Sequence, residues 1–169
     1  MRLISIGGGE PEYDTPSNII DAMKQAIDDG YTHYGDFRHI PELRKAVAAK
    51  YKRYGVEVDP ELVIITPGST MGIYMAYNAL LKPSEELIVM DPCFFGYFMA
   101  VKEQGFKTVS VKRSKDDWSF NIEDIYKATT DKTRAVLICS PDNPTGALLS
   151  NRELKELAEY SVEKDVKII

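Results

Sequence analysis

The hydrophobic rhythm of the chain changes near Pro60. Before it, apolar residues recur at helical spacing. A helix is expected from Thr15, with Thr15 as N-cap, Pro16 in the first turn, Ile19, Ile20, Met23, Ala26 and Ile27 as its apolar set, and Gly30 as terminator. A second helix repeats that grammar: Pro41 opens it, Leu43, Val47 and Tyr51 share a face, and Gly55 follows the last periodic residue. A Tyr/Gly/His loop, residues 31–39, lies between them.

Beyond Pro60, short apolar runs alternate with helical patterns. Residues 62–66, 87–90, 106–111, 134–139 and 166–169 read as strands, and several are apolar on both faces. Residues 69–81, 94–104, 121–129 and 150–164 read as helices, the last with a capping box, Ser150 and Glu153, ahead of Leu154, Leu157, Ala158 and Ser161 on one stripe. Such alternation predicts an α/β fold: a mostly parallel sheet with helices on both faces, preceded by an N-terminal helical segment. The expected division is residues 1–55 as arm and helices, and 56–169 as part of an α/β domain.

Composition narrows the function classes. Hydrophobic residues at 44% and charged residues at 28% are ordinary for a globular protein, so disorder and collagen-like repeats are excluded. The formal net charge of −5 gives no overall positive field to hold a nucleic-acid backbone. Residues 62–81 carry no charge, but Thr66, Pro67, Gly68, Ser69 and Thr70 interrupt the run where a membrane span should be most apolar. A buried strand, a turn and a helix fit it better. Cys93 and Cys139 stand far apart with no apolar leader, which predicts free thiols and a cytoplasmic setting.

In open sheets, ligands bind beyond the carboxyl ends of the strands, which directs attention to three loops. Residues 66–70 offer hydroxyls, a glycine and successive N–H groups at a helix start, suited to a phosphate; an ordinary turn with Ser69 or Thr70 as N-cap is the alternative. Residues 91–98 are rich in aromatics that could cover a flat ligand or fill the core. Residues 140–146 form a proline-stiffened turn in which Asn143 could donate its amide to a ligand or bond its own backbone. Together the three describe a site for a planar, phosphorylated cofactor. His33, His39 and two remote cysteines do not make a metal-ligand pattern.

Three segments in collinear order carry a family resemblance. The run from Gly7 to Pro16, the set Tyr34 with Ile40-Pro41-Glu42-Leu43-Arg44, and Asn143-Pro144-Thr145-Gly146 resemble the class I/II aminotransferases, pyridoxal-phosphate enzymes of fold type I. The resemblance implies that Gly68, Ser69 and Thr70 hold the phosphate of pyridoxal 5'-phosphate, that Phe94 stacks on its ring, and that Asn143 donates to the ring's phenolic oxygen. Tyr34 would reach the phosphate of a neighbouring subunit's cofactor in a homodimer, and Gly8 or Gly9 would approach the substrate carboxylate. It also implies cis peptides before Pro92 and Pro144. Where the family has a glycine, this chain has His39, preceded by Gly35-Asp36-Phe37-Arg38.

The resemblance implies an enzyme that moves an amino group between an amino acid and a 2-oxo acid. No catalytic residue is expected within these 169 residues, because the family's Schiff-base lysine, ring-nitrogen acid and substrate-binding arginines follow the stretch that ends here at Ile169. The chain is therefore read as the N-terminal part of such an enzyme, inactive alone. A carbon–sulfur lyase on the same scaffold, and a degenerate binding module, are the alternatives.

Overall fold

The computed structural model describes residues 9–35 and 40–169, the side chains of 99, 100, 102 and 103 excepted. The chain divides into two compact units that meet between Ile64 and Ile65.

The first unit is helical. Helix α1 spans Ser17–Asp28 and follows Pro16 as N-cap, with no side-chain cap from Thr15. It stops as expected: Gly30 takes φ +82°, its N–H reaches Ile27, and the Tyr31 N–H reaches back to Ala26. Its apolar residues Ile19, Met23 and Ile27 are exposed. Helix α2, Pro41–Lys52, starts on its proline and turns in a face other than the expected one. Leu43 and Tyr51 are exposed, whereas Arg44 and Ala48 are buried. The buried guanidinium is met by a forked ion pair at the surface: Arg44 Nη1 and Nη2 donate to the exposed Glu61 carboxylate at 3.4 and 3.2 Å.

Residues 62–66, expected as a strand, form none. Pro60–Leu62 is a 3-10 turn fixed by Asp59, whose carboxylate accepts from the Glu61 N–H at 2.9 Å. Among the described residues the extended stretch after it finds no ladder partner, and Leu62 and Ile64 are exposed.

The second unit holds the sheet. Its elements are α3 (Ser69–Leu80), β1 (Glu86–Asp91), α4 (Gly96–Gln104), β2 (Lys107–Lys112), α5 (Ile122–Ala128), β3 (Thr133–Leu137), α6 (Asn151–Lys164) and β4 (Lys167–Ile168). The strand order is β2-β1-β3-β4, and every pairing is parallel. Because β1 is central, both of its faces are covered. Leu87 and Val89 join Tyr77, Tyr97, Val101 and Phe106 on one side. Ile88 and Met90 join Ile125, Leu157 and Tyr160 on the other. Period-two alternation therefore feeds two cores from one strand. Each fully buried aliphatic side chain contributes roughly 1.5–3 kcal/mol of transfer free energy, which makes β1 the centre of stability for this unit.

Helix α6 carries the expected capping box. The Ser150 Oγ accepts from the Glu153 N–H, and the Ser150 N–H donates to the Glu153 carboxylate at 2.8 Å. The buried stripe runs through Glu153, Leu157 and Tyr160, while Leu154 and Ala158 face out. Glu153 turns inward because its carboxylate also accepts the Phe120 N–H at 3.3 Å.

Candidate functional site

The chain leaves β1 toward β2 on one side and then crosses to β3 on the other. This reversal sits at the carboxyl ends of β1 and β3, where an open parallel sheet leaves a crevice. Both strands exit through cis prolyl bonds: Asp91–Pro92 after β1, and Ser140–Pro141 and Asn143–Pro144 after β3. The bonds before Pro92 and Pro144 match the expectation; the one before Pro141 is additional.

A cavity of about 500 Å³ opens there, and all the residues that line it belong to the second unit. Ser69 and Thr70 come from the start of α3, Phe94 from the loop after β1, and Asn143 from the loop after β3. Ile73 and Leu137 supply apolar wall. Helix α3 has Gly68 as its N-cap, at φ +82° and ψ 163°, and no side chain caps its first N–H groups. The turn before it is tied within itself, with Gly68 N–H donating to Thr66 O and Thr66 Oγ1 donating to Gly68 O, both at 2.8 Å. Ser69 and Thr70 hydroxyls make no hydrogen bond among the described residues, so neither serves as the N-cap.

Aromatic packing fixes the Phe94 ring. Tyr97 meets it edge to face, centroids 5.5 Å apart at 81°, and Gly96 leaves the space the ring occupies. Both readings of the aromatic segment are therefore partly true: Tyr97 is buried core, while the half-buried Phe94 faces the cavity. In the lining of the same cavity, Asn143 is exposed and its amide takes no partner among the described residues. The local turn bonds belong instead to Asp142, whose Oδ2 accepts from the Thr145 Oγ1 at 2.6 Å.

Electrostatics keep the thiol and phenol near this cavity protonated. Burial raises the Tyr97 pKa well above the ordinary tyrosine value, and a hydrogen bond with Cys139 adds to it. Burial also pushes the Cys93 thiol up to about 11, with Asp91 and Asp142 adding repulsion and Arg113 opposing them. Neither group is poised as a base or nucleophile at neutral pH. What the cavity offers is a hydroxyl-bearing helix start, a ring and a free amide. A second cavity, also about 500 Å³, is lined by Arg113, Ser114, Phe120, Asn121 and Arg152 among others; there the Asn121 side chain is spent capping α5, accepting from the Glu123 N–H at 3.0 Å, and the Phe120 ring is buried.

Comparison with known proteins agrees with this geometry. Residues 2–169 match the family Aminotransferase class I and II. The chain belongs to the class I and II aminotransferases. It is 40% identical over 170 residues to aromatic-amino-acid aminotransferase 2 of Thermococcus litoralis, covering 99% of this chain and 44% of that protein. It is 39% identical to the aspartate aminotransferase of Pyrococcus abyssi, with the same coverage. The structure superposes on the aromatic aminotransferase of Pyrococcus horikoshii with a TM-score of 0.94 and 41% identity, covering 98% of this chain and 45% of that one. This aminotransferase chain thus spans less than half the length of the curated relatives it matches.

Of the residues expected to bind cofactor, the aminotransferase fold brings Ser69, Thr70, Phe94 and Asn143 to one cavity, with Gly68 directly ahead of Ser69. Tyr34 and Gly9 are exposed residues of the first unit. Gly8 and His39 lie outside the described residues. Sequence reasoning missed Gly96 and Tyr97 as parts of the wall. The spacing Phe94-x-x-Tyr97 across one helical turn was the available signal.

Proposed function

We propose that this cavity holds pyridoxal 5'-phosphate and that the chain provides the phosphate, ring-stacking and phenolic-oxygen contacts of an enzyme transferring amino groups between amino acids and 2-oxo acids. The observation that carries this reading is the convergence of Ser69, Thr70, Phe94 and Asn143, from three separate loops, on one cavity. The donor set fits the group. The uncapped start of α3 presents N–H groups and two hydroxyls to a phosphate, and glycine at position 68 lets the backbone approach it. Phe94 gives a planar apolar surface for a ring, and Asn143 a free N–H to donate to an oxygen beside it.

The cofactor, when bound, supplies an electron sink for bonds at the substrate's α-carbon. The chain's own residues bind and orient. Ser69, Thr70 and the α3 N-terminus would anchor its phosphate end. Phe94 covers a face and excludes water from it. Asn143 holds hydrogen-bonding charge on the phenolic oxygen. Tyr34, exposed in the first unit, would serve a second copy's phosphate in a homodimer, and Gly8 and Gly9 would lie near the substrate carboxylate. Aromatic and aspartate aminotransferases are among the relatives, and the substrate of this protein is proposed no more finely than an amino acid and its 2-oxo acid. A cytoplasmic setting accompanies this reading; among the described residues no helix is long and apolar enough to cross a membrane.

Equilibrium dialysis of the 169-residue chain tests it. Weak, saturable binding of pyridoxal 5'-phosphate is expected, weaker still for pyridoxal without its phosphate, and reduced by Thr70→Val, Phe94→Leu or Asn143→Ala. Binding indifferent to the phosphate or to these changes would overturn it. No amino-group transfer is expected from the chain alone, and turnover would show that the roles assigned here are wrong.

A further inference from the structure

Arg113 and Asp142 form an ion pair with both side chains only 2% exposed, Nη2 to Oδ1 at 3.1 Å. As a stabiliser the pair is poor. Desolvating two charges offsets most of their attraction. In addition, the buried Nε of Arg113 has no hydrogen-bond partner. As a clamp it is well built. The backbone N–H of Arg113 donates to the carbonyl of Asp91 at 2.9 Å, the residue from which the Phe94 loop departs. Its Nη1 donates to the carbonyl of Trp118 at 2.9 Å, and Nη2 reaches Asp142, the residue before Asn143.

Asp142 is itself held on every side. Its N–H donates to the Ala147 carbonyl and its carbonyl accepts from the Gly146 N–H, both at 2.8 Å. Its second carboxylate oxygen accepts from the Thr145 hydroxyl at 2.6 Å. A closed turn of this kind is rigid, so anchoring Asp142 anchors the position from which Asn143 departs. Arg113 therefore joins two of the three loops around the cavity without lining it, the Phe94 loop through its backbone and the Asn143 loop through its guanidinium.

We propose that Arg113 is a positioning residue: through Asp142 it sets where the Asn143 amide stands relative to Phe94. The proposal deepens the cofactor reading above and rests on it for its binding readout. Its chemistry requires the guanidinium fork, because a lysine ammonium reaches only one of the Trp118 carbonyl and the Asp142 carboxylate.

A double-mutant cycle on the chain tests it, reading the dissociation constant for pyridoxal 5'-phosphate and the side-chain amide NMR resonances of Asn143. Arg113→Met and Asn143→Ala should each weaken binding on the order of tenfold, the size of one lost hydrogen bond to a ligand. Their combination should be no weaker than Asn143→Ala alone, since Arg113 acts through that amide. The Asn143 amide resonances should move in Arg113→Met. If Arg113→Met does not fold, Arg113→Lys replaces it and should give a smaller loss with moved resonances. Additive losses, or wild-type binding with unmoved resonances, overturn the proposal. Should the wild-type chain take up no pyridoxal 5'-phosphate, the cofactor reading fails, and the amide resonances alone decide the positioning role.

Discussion

Gly96 packs against Phe94 so closely that a methyl group on Gly96 would run into the Phe94 ring. The two residues begin the turn into α4, and the ring forms part of the cavity wall. Gly96→Ala should therefore displace the ring, since overpacking a filled site costs roughly 1–3 kcal/mol. The expected outcome is several-fold weaker binding of pyridoxal 5'-phosphate in dialysis. In a Phe94→Leu background the same change should add little, because the ring it displaces is gone. Equal losses in both backgrounds would mean that Gly96 acts elsewhere.

Gly68 and Gly105 both take positive φ, but for different reasons. Gly105 ends α4 at φ 77° and ψ 8°, the left-handed region that asparagine tolerates. Gly68 starts α3 at φ 82° and ψ 163°, a region essentially reserved for glycine. No atom lies within 4 Å of a Cβ at Gly68, so the penalty there is backbone strain alone. Gly68→Asn should cost roughly 1–3 kcal/mol and lower the melting temperature by about 2–10 °C, with Gly105→Asn milder. Calorimetry on the two variants checks the order, and a reversed order would refute the argument.

Much of the second unit was legible because β1 is apolar on both faces and its neighbours alternate with amphipathic helices. The misreadings share a cause. Residues 62–66 have strand composition, but a strand needs a partner, and Pro60 with Asp59 closes a turn ahead of it. In α2 and α6 the inward face was misjudged because two charged residues, Arg44 and Glu153, lie buried on it and bond to partners 17 and 33 residues away. Arg113 was invisible for the same reason: its meaning lies in Asp142, 29 residues further on. The three loops were readable as a site because their residue types are chemically specific in combination.

Glu153 gives a pH dependence that can be worked through. Burial pushes its carboxyl pKa up, yet hydrogen bonds from the Ser150 hydroxyl, the Ser150 N–H and the Phe120 N–H outweigh burial and hold it below the ordinary value of 4.5. A depressed folded pKa means the carboxylate's contribution is complete above 4.5 and is lost as pH falls through the folded value. Glu153→Gln should thus destabilise the chain by roughly 1–2 kcal/mol at pH 7, the cost of a weakened cap and hydrogen bond. The gap should narrow steadily in urea titrations below pH 4.5. A gap independent of pH would show that ionisation of Glu153 contributes nothing.

Cys93 behaves in the opposite sense. Its thiol is pushed up to about 11 from 9.0, first by burial and then by Asp91 and Asp142. The neutral thiol favours the fold, so this contribution is complete below pH 9.0 and is lost as pH rises through about 11. Only the thiolate alkylates, and a shift of this size lowers its fraction at pH 8 about a hundredfold. In a Cys139→Ser background, iodoacetamide should modify the folded chain far more slowly than the urea-unfolded chain, with a rate that climbs toward a midpoint near 11. Asp142→Asn should move that midpoint down, because it removes a negative charge and frees Arg113 to favour the thiolate. A midpoint that stays at 9.0 in the folded chain would contradict the burial of Cys93 beside this ion pair.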